Sequence, residues 1–178
     1  MSRASSAFNK SIEDAESLLA HFDQIHKQSP ETSEVLKRAG LVMALTAWET
    51  YVEDRIQEAV KVRLSAVAGS PIGNFINTRL ENDLKQLHNP TSGKTRRIFQ
   101  EYLEVDVTLK WKWAGYDVDL ARKTLDDLLS KRGEAVHRSK PTNGGTLVPH
   151  LVKREDLDKA IRFIKGLVEA TERALLEP

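Results

Sequence analysis

The sequence predicts an all-α fold, a helical bundle of four long helices with short helices inserted mid-chain. Three observations carry this. Apolar residues recur at three-and-four spacing over four stretches, each several turns long. The breaks between stretches are marked by Pro, Gly and capping residues. Strand-like alternation is confined to one short aromatic segment, so nothing suggests a βαβ unit. The chain has 178 residues, enough for one domain over 1–178 with a real core and too few to favour two.

The elements follow in order. Residues from about 5 to 28 carry Phe8, Ile12, Ala15, Leu18, Leu19, Phe22 and Ile25 on one face. The first helix stops at "QSPE", where Ser29 is a good N-cap and Pro30 a good first residue for the second. That second helix is expected from Pro30 to about Ala68, lined by Leu41, Leu45, Trp48, Val52, Ile56, Ala59 and Val60, with Gly40 as its sole interruption. At 1.5 Å per residue it would be roughly 55 Å long, the spine on which other helices pack. "GSPIGN" ends it. Short helices are expected around 72–88 and 94–104, separated by "HNPTSG". "VDVTLKWKWAGYD" reads as an irregular connection, with a short strand as the alternative. A further long helix spans about 117–139, the loop "SKPTNGGTLVPH" follows, and a last helix covers about 154–176 with Leu157, Ile161, Ile164, Val168, Thr171 and Leu175 as its stripe.

Composition narrows the function classes. Forty per cent hydrophobic and thirty per cent charged residues suit an ordinary soluble protein. With no Cys there is no disulfide framework and no thiolate nucleophile, which fits a reducing compartment. The N-terminus "MSRASSAFNKSIED" lacks the apolar core of a secretory signal, and no run approaches the roughly 18 apolar residues of a membrane span. The expected location is therefore the cytoplasm, with no membrane partner. Net charge is +1 but uneven: six Lys and Arg against ten Asp and Glu in residues 1–60, fifteen against ten in 61–150, and six against six in the rest. The basic surplus in the middle segment would attract a phosphate-rich ligand.

Several chemical signals fail on inspection. "HNPTSGKT" ends like a phosphate-binding loop, but the first glycine of that pattern should stand where His88 is, and the preceding "LENDLKQL" is helical. The five histidines, His21, His26, His88, His137 and His150, contain no i, i+4 pair, so neither a metal nor another cofactor is expected. Glu49 and Glu53 share a helix face with no Glu-x-x-His partner, which leaves a solvated face or a contact to another subunit. No serine stands in a nucleophile elbow. Trp111 and Trp113, interleaved with Lys110 and Lys112, have the composition of a base-stacking surface, yet tryptophans beside a connection more commonly fill the end of a bundle core.

One stretch, "KRGEAVHR", resists a purely structural reading. In the helix over 117–139, Val118, Ala121, Leu125, Leu128 and Leu129 form the apolar stripe, and Arg132 is the next residue on it. Val136 follows four later, and His137 falls on the flank beside Gly133. Within one turn a core-facing face acquires a permanent cation and a titratable base. Helix-end cations interacting with the dipole and the last carbonyls offer the plain account.

Arg132-Gly133-Glu134-Ala135-Val136-His137 resembles the R-x(4–6)-H signature of the HEPN superfamily, small all-helical domains that often act as metal-independent ribonucleases. "LTAWETYVEDRI" on the second helix is similar to the Trp-Glu-x-Tyr-Val-Glu segment of the RiboL-PSP type. "VTLKWKWAGY" resembles that branch's aromatic connection, and "KREDLDKAIRFIKGLVE" its closing helix. One departure stands out: many members carry a polar residue, often Asn, directly after the arginine, where this chain has Gly133.

The resemblance implies a composite site. A histidine can transfer a proton near neutral pH, and an always-charged arginine suits phosphoryl oxygens. One of each makes half of an RNA-cleaving site; the family's remedy is a homodimer that brings two motif helices together on a two-fold axis. The implied catalytic residues are Arg132 and His137. Lys131, Arg138 and Lys140 flank them as expected RNA phosphate contacts. The resemblance further implies a toxin or defence component, with an antitoxin or other regulatory protein as a partner. The rival reading is a non-catalytic HEPN-type dimer that binds RNA, nucleotide or protein through the same cleft.

Overall fold

The structure is a computed structural model that describes residues 2–137 and 152–176, with Glu31, Thr32 and residues 134–137 described by their backbone alone. Six helices follow one another: α1 (Arg3–Ile25), α2 (Pro30–Arg63), α3 (Pro71–Lys85), α4 (Ser92–Leu103), α5 (Val118–His137) and α6 (Arg154–Leu176). Short 3-10 turns stand at Ser65–Val67 and Val107–Lys110. The fold is all-α, and the described residues contain no strand. The aromatic connection reduces to the second 3-10 turn and a tight reversal in which Trp113 and Tyr116 exchange two backbone hydrogen bonds.

Helix boundaries depart from the sequence expectation by a few residues, each for a local reason. α1 begins two residues early because Ser2 accepts the Ser5 N–H at 2.9 Å and Glu58 accepts the N–H groups of Arg3 and Ala4. These satisfy donors that a helix N-terminus otherwise leaves unpaired. α2 ends at Arg63 rather than Ala68, and the remaining residues tighten into the 3-10 turn. Ser29 and Pro30 do start α2, but Ser29 forms no side-chain cap. Its backbone, at φ −139° and ψ 69°, lies outside the extended region that aims a capping oxygen into the first turn. The end of the α5 helix beyond His137 and the loop "SKPTNGGTLVPH" lie outside the described residues.

α2 is the spine, about 50 Å long at 1.5 Å per residue, with α1, α4, α5 and α6 packed around it. α1 runs antiparallel to it, with Phe8 edge-on to Tyr51 and the Lys37 ammonium over the Phe22 ring. α6 runs antiparallel to α1, joined through Arg154–Asp23 and Lys165–Glu16, and its Glu172 accepts from Tyr51 and Arg55 of α2. Because several helices cover α2, its buried residues are not confined to one stripe: Leu41, Ala44, Leu45, Trp48, Val52 and Ile56 are all buried. Gly40 stands close to α6, since a Cβ there would lie 2.8 Å from Leu157. Trp111 fills the core completely, donates to Thr171 at 3.0 Å and meets Trp48 edge-on. Trp113 is half-buried between Tyr116 and Phe163. The aromatic connection is thus a plug for the bundle end. Among the described residues, no helix is long and apolar enough to cross a membrane.

Candidate functional site

The site is assembled by three elements: the middle of α2, the loop between α3 and α4, and the C-terminal half of α5. α4 begins with Thr91, whose side chain accepts the Lys94 N–H, so Gly93-Lys94-Thr95 lies in the first turn of a helix and is no phosphate loop. The Ser92 N–H and hydroxyl both donate to Asp126 of α5 at 2.7 Å. That pair of bonds fixes the start of α4 against α5. The loop before it is anchored to α2 at Pro90, whose carbonyl accepts from the buried Trp48 indole at 3.0 Å. Between these anchors Asn89 adopts the left-handed conformation, φ 50°, which asparagine tolerates better than most residues.

That conformation brings Asn89 to Glu49 and Arg132. One Glu49 oxygen accepts the Asn89 N–H at 3.0 Å, and the other accepts Arg132 Nη1–H at 2.7 Å. The same guanidinium nitrogen donates to Asn89 Oδ1 at 2.6 Å. Nη2 makes a long contact of 3.4 Å to the Thr46 hydroxyl. Arg132 follows the buried Ala121, Leu125 and Leu129 along α5, which explains why its side chain meets α2 rather than open solvent. The side chains of Arg132 and Glu49 are 20% and 16% exposed, so this ion pair is screened far less than a surface pair.

The geometry corrects one expectation. Glu49 is not simply part of a solvated face; it holds the motif arginine within its own chain. Part of the charge on Arg132 is therefore met intramolecularly. Among the described residues, nothing engages the Nε–H and second Nη2–H, and these form the side-on edge of the guanidinium that suits two oxygens of one phosphate. A turn beyond Glu49, burial and the charges of Glu49 and Asp54 raise the Glu53 carboxyl above its ordinary value, while the nearby His88 imidazole lowers it.

The other expected site residues fall unevenly. Lys131 is exposed on α5. His137 is the last residue of α5, its side chain outside the described residues, and Arg138 and Lys140 lie wholly outside them. Gly133 is helical, and a Cβ there would meet nothing within 4 Å. The departure from the family pattern is therefore not imposed by crowding, and α5 continues without interruption past it. Among the described residues, no three of His, Asp and Glu stand close enough together to hold a metal ion.

Sequence reasoning missed the roles of Thr46, Glu49 and Asn89. The first two were legible in part, since Thr46, Glu49 and Glu53 share a face of α2 at three-and-four spacing. Asn89 was not, because its role depends on a loop conformation and on which helix the loop meets.

No protein of curated function and no solved structure matches the sequence. The family model RiboL-PSP-HEPN matches residues 9–177, a span that takes in Glu49, Asn89, Arg132 and His137. The chain belongs to the RiboL-PSP-HEPN family.

Proposed function

We propose that this protein is a metal-independent endoribonuclease whose site combines Arg132 and His137 of two protomers. The observation that carries the reading is the state of Arg132. It stands in an R-x4-H motif of a HEPN chain, is fixed by Glu49 and Asn89, and keeps its side-on guanidinium edge without a partner among the described residues. A fixed cation with parallel donors left open among the described residues suits a developing phosphorane, because preorganised donors do not have to reorganise as charge builds. In this reading an imidazole takes the proton from the 2′-hydroxyl, O2′ bonds to phosphorus, and the P–O5′ bond breaks as O5′ receives a proton. Arg132 binds the phosphoryl oxygens throughout. The products are a 2′,3′-cyclic phosphate and a 5′-hydroxyl.

The two-fold partner supplies a second motif helix, so the α5 helices of a homodimer face each other. Lys131, Arg138 and Lys140 act as phosphate contacts around the cleft, positioning RNA without reading its bases. A role as a toxin or defence component, restrained by an antitoxin or other regulatory protein, rests on family membership alone.

The rival reading, a non-catalytic dimer that binds RNA, nucleotide or protein through the same cleft, is favoured by Gly133, which removes a side chain that many members place beside the arginine. One experiment separates the two. Purified protein is incubated with bulk RNA in EDTA beside His137→Ala and Arg132→Ala variants, and product ends are mapped. The wild type should cleave and leave cyclic phosphates, and His137→Ala should lose about 10²–10⁴ of the rate, the usual range for acid–base catalysis. Equal turnover by wild type and both variants, or no cleavage with RNA binding retained, would move the assignment to the binding module. A monomer by light scattering at micromolar concentration would remove the composite site.

A further inference from the structure

The loop between α3 and α4 gathers a cation from α4 as well as the motif arginine from α5. The peptide that joins His88 to Asn89 is bonded at both ends. Its N–H donates to Glu49 of α2 at 3.0 Å, and its carbonyl accepts from the Lys94 ammonium of α4. A trans peptide points these two groups in opposite directions, so Lys94 stands on the side of the loop away from Glu49. The Asn89 side chain is bonded to Arg132 through Oδ1 at 2.6 Å. Two consecutive loop residues thus tie a lysine of one helix to an arginine of another.

The orientation of the Asn89 carboxamide follows from its partner. A guanidinium only donates, so the amide oxygen must face it, and Nδ2 is the branch turned away. Among the described residues Nδ2 donates to no acceptor and Lys94 has no ion pair, and both residues are exposed. The carboxylates bonded to this loop and to the start of α4 are already engaged: Glu49 by Arg132 and the Asn89 N–H, Asp126 by Ser92. Glu49 and Asn89 both take Nη1 of Arg132. The Nε and Nη2 edge, which suits the phosphate undergoing cleavage, therefore lies across the guanidinium from Asn89. The open amide donors and the ammonium face a different part of a bound strand.

We propose that Asn89 and Lys94 form a second phosphate subsite beside Arg132, holding the phosphodiester next to the one that is cleaved. The inference rests on the ribonuclease reading and extends it to the neighbouring nucleotide. The Asn89 Nδ2–H and the Lys94 ammonium each donate to a non-bridging oxygen, and no bond is made or broken there. Such contacts fix the register of the strand without reading its bases. The left-handed conformation of Asn89, φ 50°, holds the carboxamide between the two cations.

The test uses the full chain and 2′-O-methyl oligonucleotides that carry one ribonucleotide. Cleavage is possible only at that residue, because no other sugar has an attacking hydroxyl. The short substrate has a single phosphodiester, after the ribonucleotide; two longer ones add a nucleotide on its 5′ or its 3′ side. The ratio of kcat/KM between long and short substrates is measured in EDTA for wild type, Asn89→Gly, Asn89→Asp and Lys94→Ala, with urea midpoints beside it. Gly and Asp both tolerate the left-handed backbone, and Asp keeps an acceptor for Arg132. Wild type should prefer one longer substrate by about 10- to 100-fold, the worth of hydrogen bonds to a charged group. The side that gives the gain locates the subsite. All three variants should lose most of that preference, and Lys94→Ala should flatten the salt dependence by about 0.7 in logarithmic slope. A wild-type preference kept by the variants, or no preference in wild type, would overturn the inference and leave the ribonuclease reading standing. A loss shared equally by short and long substrates would also overturn it, since Asn89 would then act only by holding Arg132. A preference lost in both Asn89 variants but kept in Lys94→Ala would remove the lysine from the subsite. A wild type that cleaves no substrate would remove the ribonuclease reading and this inference with it.

Discussion

Replacing Glu49 by Ala removes the carboxylate that ties the motif arginine to the α3–α4 loop. Two limits bracket the cost. An exposed ion pair contributes about 0–1 kcal/mol, whereas removing one partner of a fully buried pair costs about 3–5 kcal/mol. Here the two side chains are 20% and 16% exposed, and Arg132 keeps Asn89 Oδ1 as an acceptor. Water can also reach the exposed fifth of the Arg132 side chain. About 2 kcal/mol is therefore expected, a drop of about 4–8 °C in Tm for a chain of this size. A double-mutant cycle isolates the pair: wild type, Glu49→Ala, Arg132→Ala and the double variant are unfolded in urea at pH 7. The Asn89 N–H loses its acceptor in both Glu49→Ala arms, so that term cancels and the coupling reports Glu49 with Arg132 alone, about 1–2 kcal/mol. Additive effects within about 0.3 kcal/mol would refute the claim that Glu49 holds Arg132 in place.

Three further outcomes are expected. The Glu53 carboxyl is raised by burial and by its acidic neighbours, so the folded state binds its proton more tightly than the unfolded state and stability falls as pH rises past the ordinary glutamate range. Glu53→Gln should therefore melt higher than wild type at pH 7, with the advantage fading towards pH 4; equal midpoints at both pH values would contradict this. Gly133→Ala fills open space within a helix and should stabilise by about 0.5–1 kcal/mol in thermal or urea unfolding, while Gly133→Asn in the RNA assay tests whether the polar residue of related chains raises turnover. Gly40→Val places a branched side chain 2.8 Å from Leu157, and overpacking of this kind should cost about 1–3 kcal/mol by urea unfolding.

The fold was legible because its determinants are local. Phe8, Ile12, Ala15 and Leu19 repeat at helical spacing, and all four are buried as that spacing requires. α6 is the clearest case, with Leu157, Ile161, Ile164, Val168 and Thr171 all buried and boundaries at residues 154 and 176 as expected. α2 was harder to describe, although easy to find: its buried residues spread around the helix because four other helices cover it. The errors at helix ends come from contacts that spacing does not encode. Glu58, more than fifty residues away, settles where α1 starts.

The site was legible only as far as its residues lie on one helix. Arg132 announced itself by standing on an apolar stripe, but its partners belong to α2 and to a loop 43 residues before it, and no spacing rule connects them. The same limit applies to the charge map. Read along the chain, residues 1–60 are acidic and residues 61–150 basic, and the second segment looks available to a polyanion. Folding pairs several of these cations internally, though only Arg132 takes its partner from the acidic first segment. Arg132 goes to Glu49, Arg122 to Asp106 and Asp119, Arg79 to Asp83 and Glu101, and Arg63 to Glu104. Nine cations of the segment stay exposed and without an ion pair among the described residues, spread over several elements; they include Lys94, Arg96 and Arg97 on α4 and Lys123 and Lys131 on α5. Those five stand on the two helices that Ser92 and Asp126 lock together, the same pair that carries the motif arginine. Exposed cations act through a long-range, salt-screened field, whereas Arg132 is held by Glu49 and Asn89, so in the proposed site long-range attraction and chemical contact fall to different residues.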